Sequence, residues 1–210
     1  MRMRGGEFER MILRKRGFSS KPIYDEHESR VPVCDRLAEA LIDQGDWDPY
    51  FPDTVPAYNM LGSVSSGLGR LQFPNFETLG LFRSLGTALD RYWSTDCFFA
   101  VKEGSGYRVV IIDLTVDRYK SLNWMKGVVF RPEAVYEHST MLDFAQCVVS
   151  FFLSSSEKDD RTLFVDSFCL ERAVAKQKQT DSIKKLVEDL WNVTHPYLKV
   201  CHGILSSTEE

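Results

Sequence analysis

Two strand-like runs joined by a tight turn constrain the fold of this chain most strongly. Residues 96–102 and 107–115 are rich in β-branched and aromatic side chains, and the turn between them reads Glu-Gly-Ser-Gly. A short glycine-containing loop between two such runs is typical of a β-hairpin. The second run includes four consecutive apolar residues at 109–112, as in a strand that is covered on both faces. We therefore expect an α/β domain whose mixed β-sheet is flanked by helices.

The segments around the hairpin complete this expectation. Apolar residues at helical spacing predict helices over 76–93, with Asn75 as its cap, and over 140–153. Residues 1–33 are interpreted as a basic, partly irregular arm, and residues 34–205 as a single α/β domain. The other predicted elements are a short helix at 34–44, a loop at 46–73, strands at 127–131 and 162–168, and C-terminal helices over 170–194 that end before Pro196.

Charge and composition limit the function classes. The 210 residues are 43% hydrophobic, a composition that excludes a disordered chain. Their net charge of −4 by itself disfavours a nucleic-acid-binding protein. Residues 1–22 nevertheless carry a net charge of +5, and such an arm can attract phosphates. The sequence contains no apolar run long enough for a membrane span. The five cysteines lack paired spacing among themselves and with histidine, so reduced thiols in a cytoplasmic protein are expected rather than a zinc site.

Two acids interrupt the apolar pattern of the hairpin. If the turn is centred between Gly104 and Ser105, Asp96 and Asp113 lie directly opposite each other, with Cβ atoms about 4.5–5.5 Å apart. Two such carboxylates repel each other and lose hydration beside an apolar strand, and a bound Mg²⁺ or Mn²⁺ removes both costs. The alternative is that one acid lies at an exposed strand end and faces water.

The hairpin with its two acids resembles the PD-(D/E)XK nuclease superfamily. The restriction-endonuclease-like core of that family is a helix, a three-stranded meander, a helix and a strand, and the similar order here covers about residues 75–168. Asp96 matches the first motif acid, and Asp113 matches the acid of the (D/E)XK element. The lysine position is occupied by Thr115, so the resemblance implies a displaced lysine, for which Lys120 is the candidate. Glu77 is the formal match for the glutamate on the first helix.

The resemblance implies a Mg²⁺- or Mn²⁺-dependent endonuclease that hydrolyses DNA. Asp96 and Asp113 would hold the metal, while Lys120 and Glu77 would complete the catalytic set. A homodimer or a larger protein complex is also compatible with the sequence. Because Thr115 replaces the lysine, the alternative is a catalytically inactive, nuclease-like binding or assembly protein. A third hypothesis is a host-directed effector or inhibitor. The residues expected to contact nucleic acid are Arg14, Lys15, Arg16, Arg118 and Lys126.

Overall fold

The computed structural model describes residues 4–14, 30–117, 128–154 and 162–206 of the chain. Within them, an open mixed sheet of five strands is flanked by helices, which confirms the predicted α/β class. The strands are β1 (Gly80–Arg83), β2 (Cys97–Glu103), β3 (Gly106–Leu114), β4 (Val128–Phe130) and β5 (Thr162–Val165). The helices are α1 (Gly5–Leu13), α2 (Val33–Ile42), α3 (Val55–Arg70), α4 (Ala88–Trp93), α5 (Glu133–Tyr136), α6 (His138–Leu153) and α7 (Ser167–Ser206), with a 3₁₀ turn at Phe76–Thr78.

The hairpin lies at the centre of the sheet. Strands β1, β2 and β3 form an antiparallel meander, and β3 also pairs with β4 in parallel and with β5 in antiparallel orientation. The β2–β3 ladder runs from Cys97 opposite Ile112 to Glu103 opposite Gly106, which confirms the predicted register. Gly104 has a positive φ of 58° in the two-residue turn, a conformation that glycine adopts without strain.

Helices cover both faces of this sheet. On one face, α1, α3 and α6 contribute to a core that includes Phe8, Val64 and Phe144. On the other face, α2, α4 and α7 contribute apolar side chains to a second core, as Leu37 and Leu89 illustrate. The continuous apolar run in β3 is explained by this arrangement, because its alternate residues enter the two cores.

Helix α3 occupies most of the segment that the sequence predicted to be a loop, and that prediction is wrong. Thr54 caps the helix by accepting a hydrogen bond from the amide of Ala57, and Pro56 lies in the first turn, where proline is tolerated. Gly67, one of the glycines that suggested a loop, instead allows close helix packing. A Cβ atom at Gly67 would lie 2.8 Å from Cγ2 of Val149 on α6.

The single helix predicted over 76–93 is also wrong, because the segment forms the 3₁₀ turn, β1 and α4 in succession. Asn75, its expected cap, has a left-handed φ of 56° and no side-chain capping hydrogen bond. Strand β1 pairs with β2, and the indole nitrogen of Trp47 donates to the carbonyl of Leu81 at 2.7 Å. Pairing in the sheet and burial outweigh the helical spacing of the apolar residues.

The two ends of the chain differ from the expectations in opposite ways. Within the predicted irregular arm, α1 is a regular helix whose Phe8, Ile12 and Leu13 are completely buried. Helix α7 continues past Pro196. Its apolar side chains between residues 183 and 192, such as Ile183 and Leu186, are more than half exposed. None of the described helices combines the length and the apolar content that a membrane span requires.

Candidate functional site

The candidate site lies where β2 begins and β3 ends. Asp96 directly precedes β2, and Asp113 is the penultimate residue of β3. The ladder stops at the pair Cys97–Ile112, so Asp96 and Asp113 occupy the next position on the two strands. Their exposed fractions are only 4% and 6%. The alternative in which one of the two acids faces water at a strand end is therefore wrong.

Backbone hydrogen bonds fix the position of Asp96. Its amide donates to the carbonyl of Ile112 at 3.1 Å, and its own carbonyl accepts from the amide of Ser84 at 2.9 Å. The carboxylate accepts through Oδ2 from the amide of Leu114 at 2.6 Å. The side chain thus serves as the acceptor for an amide at the end of the ladder, which holds the Asp96 carboxylate close to the end of β3.

The electrostatic environment opposes ionisation of Asp96. The pKa of its carboxyl is raised to about 8, chiefly by burial, and the hydrogen bond from the Leu114 amide offsets this only in part. The negative charges of Glu9, Asp90 and Asp113 make smaller contributions to the same increase. A carboxyl group with this pKa is protonated at neutral pH until a positive charge comes close to it.

Sequence reasoning did not identify Glu9 and Asp90 as members of this acidic site. Asp90 lies in the first turn of α4, where its Oδ2 atom accepts from the amide of Gly86 at 2.5 Å. Its separation of six residues from Asp96 is a signal that a search for neighbouring acids could have used. Glu9 lies near enough to raise the pKa of Asp96, and its helix α1 packs on the core through Phe8 and Ile12. No local sequence pattern reveals that packing.

Glu77 is not brought to the acid pair. It is exposed in the 3₁₀ turn, and the hydroxyl of the adjacent Thr78 accepts from the amide of Lys102 near the other end of β2. A strand of this length separates its ends by about 20 Å. Glu77 therefore does not provide the glutamate that the resemblance implies beside the acid pair.

The position expected for the lysine is buried. Thr115 is 7% exposed, its amide donates to the carbonyl of Phe130, and its hydroxyl accepts from the amide of Asp117 at 3.1 Å. Five of the residues predicted to act in catalysis or DNA binding lie outside the described residues, so their roles remain predictions: Lys15, Arg16, Arg118, Lys120 and Lys126.

Two arginines, at the ends of α1 and β1, line one small cleft. Arg83 is the register partner of Cys97, the neighbour of Asp96, and its guanidinium forms an ion pair with Asp46 at 2.7 Å. Arg14, which the sequence predicts as a phosphate contact, forms an ion pair with Asp53 and lines the same small cleft as Arg83. Nothing in the local sequence of Arg83 indicates that it shares this cleft with Arg14.

Comparisons with protein-family models, with characterised proteins and with solved structures find no match for this chain. The resemblance to PD-(D/E)XK nucleases therefore stays a prediction that depends on the residues described above.

Proposed function

We propose that this chain is a Mg²⁺-dependent endonuclease that hydrolyses DNA phosphodiester bonds, with Asp96 and Asp113 as the metal ligands. The observation that carries the proposal is the burial of two carboxylates at facing positions, where β2 begins and β3 ends and where the pKa of Asp96 is raised to about 8. An antiparallel meander with acids on its second and third strands also agrees with a restriction-endonuclease-like core.

The donor set of the acid pair fits a hard divalent cation. Mg²⁺ is commonly held by one or two carboxylates, with water and substrate phosphate oxygens as the other ligands. Asp96 and Asp113 supply two carboxylates, and the charges of Glu9 and Asp90 increase the attraction for a cation. Such a metal, when bound, polarises the scissile phosphate and lowers the pKa of the attacking water.

The chain's own residues orient the site and attract the substrate. The Leu114 amide holds the Asp96 carboxylate in place, and the ladder fixes the backbone up to the neighbour of Asp113. Arg14 can bind phosphate oxygens once DNA competes with Asp53, because both side chains of that ion pair are about half exposed and exposed ion pairs are weak. We propose that Lys120 orients the attacking water or stabilises charge on the phosphate.

A specific observation favours the second candidate function, a catalytically inactive nuclease-like protein that binds nucleic acid or assembles with other proteins. Thr115 occupies the expected lysine position, is buried, and uses its hydroxyl as an acceptor within its own turn. If Lys120 does not reach the acid pair, no lysine of the motif is available. This candidate predicts no metal-dependent cleavage, whether or not the protein binds DNA.

Cleavage assays separate the two candidates. Purified full-length protein is incubated with supercoiled plasmid or single-stranded DNA, with and without Mg²⁺ or Mn²⁺. We expect metal-dependent nicking that is lost in Asp113→Asn and Lys120→Ala. Glu77→Gln is the matched control, because it removes an exposed carboxylate at the other end of β2 and should cut as the wild type does. Cleavage that survives in Asp113→Asn would refute the proposed role of the pair.

We also propose that two copies of the chain pair through α7. Ile183, Leu186 and Leu190 follow the three-four spacing of a coiled coil, and each is more than half exposed. In the sequence the same spacing continues to Val193, Tyr197, Val200 and Ile204. A second copy is the simplest partner, because it presents an identical stripe of the same length and would bury both stripes.

A further inference from the structure

Two cysteines that are far apart in the sequence meet where the first turns of two helices pack together. Cys34 lies in the first turn of α2, and Cys169 lies in the first turn of α7. With Asp35 they form a group whose ligand atoms all lie within 4.8 Å of one another. Among the described residues, no other set of at least three such side chains meets this criterion. No zinc site is expected from the sequence, because the spacing of these residues along the chain does not reveal that they meet.

From this geometry we infer that Cys34, Cys169 and Asp35 bind a zinc-class divalent cation that links α2 to α7. Two sulfur ligands and one carboxylate favour a borderline-soft metal such as Zn²⁺ over Mg²⁺, and a water molecule completes a tetrahedral set. The site is distinct from the acid pair, since none of its residues belongs to that cluster. The inference therefore does not depend on the proposed nuclease function.

The surroundings of Cys169 concentrate oxygen and sulfur atoms that can donate electron pairs to a cation. The Cys169 amide donates to Oδ1 of Asp166 at 2.8 Å, and Sγ of Cys34 and a carboxylate oxygen of Asp35 lie within 4.8 Å of Sγ of Cys169. A metal ion would bind the two sulfur atoms and the carboxylate together. Each thiol that becomes a ligand releases its proton to solvent, so binding should acidify the solution.

A positively charged side chain already occupies part of this site. The guanidinium of Arg172 donates to the Asp35 carboxylate and contacts Sγ of Cys169 at 3.6 Å. It also lies over the ring of Phe168 at 4.3 Å, and its side chain is 48% exposed, so it can move away without being buried. Arg172 is therefore a competitor of the metal, and its removal should strengthen binding.

Metal binding to the reduced full chain tests the inference. After incubation with Zn²⁺ and dialysis in a phosphine reductant, the wild type should retain about one equivalent of zinc. The cobalt-loaded protein should show a thiolate-to-cobalt absorption band and the visible bands of a tetrahedral ion. These measurements need only the wild type. The inference would be overturned if the protein retained no zinc or if no thiolate-to-cobalt band appeared.

Variants identify the ligands. Cys34→Ser and Cys169→Ser should each weaken binding by at least about tenfold, while Cys147→Ser should not change it, because that partly exposed cysteine lies on α6. Arg172→Ala should bind up to about fivefold more tightly, since an exposed ion pair no longer has to be broken. The double variant Asp96→Asn/Asp113→Asn should bind zinc as the wild type does. Equal zinc retention by the wild type and the two serine variants would refute the assignment.

Discussion

Replacement of Asp96 by asparagine should stabilise the metal-free protein, and the gain should increase with pH. In the folded chain the pKa of this carboxyl rises from 3.8 to about 8, chiefly because of burial. The folded state therefore disfavours the ionised form, so stability is intact below about pH 4 and falls as the pH rises towards 8. Asparagine has nearly the same shape, can accept the Leu114 hydrogen bond, and carries no charge.

The pKa shift of Asp96 determines how much Asp96→Asn should stabilise the protein. About four pKa units at about 1.4 kcal/mol each give an upper limit of about 6 kcal/mol above pH 8, and about 4 kcal/mol at pH 7. For a chain of this size, 1 kcal/mol corresponds to a change of about 2–4 °C in Tm. We therefore expect Asp96→Asn to melt at least about 5 °C above the wild type at pH 8, and the two curves to converge near pH 4.

Thermal and urea unfolding between pH 4 and pH 9, with a chelator present, measure this difference. Glu77→Gln is again the matched control and should follow the wild type across the whole range, since Glu77 is exposed and lies beyond the other end of β2. If Asp96→Asn and the wild type lost stability in parallel as the pH rose, the argument that Asp96 is held protonated in the folded state would be wrong.

Three further perturbations test other parts of the structure. Saturating Mn²⁺ at ten times its dissociation constant should stabilise the wild type by about 1.4 kcal/mol and leave Asp113→Asn unchanged in a thermal-shift assay. Gly67→Ala should destabilise the fold by about 1–3 kcal/mol, because its Cβ atom would lie 2.8 Å from the Val149 side chain. In urea unfolding, Gly67→Ala should cost less stability when Val149→Ala is also present. If the effects of the two substitutions were purely additive, that packing would be contradicted. Leu186→Glu should convert a homodimer to a monomer in light scattering, because Leu186 is 59% exposed in the single chain and would be buried in the pair. A wild type that is already monomeric would refute pairing through α7.

The hairpin is the part of the fold that local sequence reasoning predicts best. Its strand residues, the two-residue turn and the register all follow from side-chain alternation and from glycine at a position with positive φ. Helix α6 was predicted over 140–153 and is observed over His138–Leu153, since its apolar residues are numerous and continuous. These elements combine a strong local pattern with a central position in the sheet.

The errors occur where tertiary contacts decide the local structure. Residues 76–93 have a helical apolar pattern, but β1 forms because it can pair with β2 and receive the indole hydrogen bond of Trp47. The glycines of α3 suggested a loop, although Gly67 instead allows close packing against Val149. The acid pair followed from the register, whereas Glu9 and Cys34 acquire their roles only through packing of distant segments.

Proton release should accompany metal binding at the acid pair. Mn²⁺ is titrated into the full chain at pH 7 by calorimetry in two buffers of different ionisation enthalpy. Because the pKa of Asp96 is about 8, binding at the acid pair should release about one proton from the wild type and none from Asp96→Asn. To keep the thiol group from contributing, the experiment is repeated with Cys34→Ser/Cys169→Ser, which should give the same proton number. Saturable binding without proton release, or the same release from Asp96→Asn, would contradict the assignment of Asp96 and Asp113 as the metal ligands.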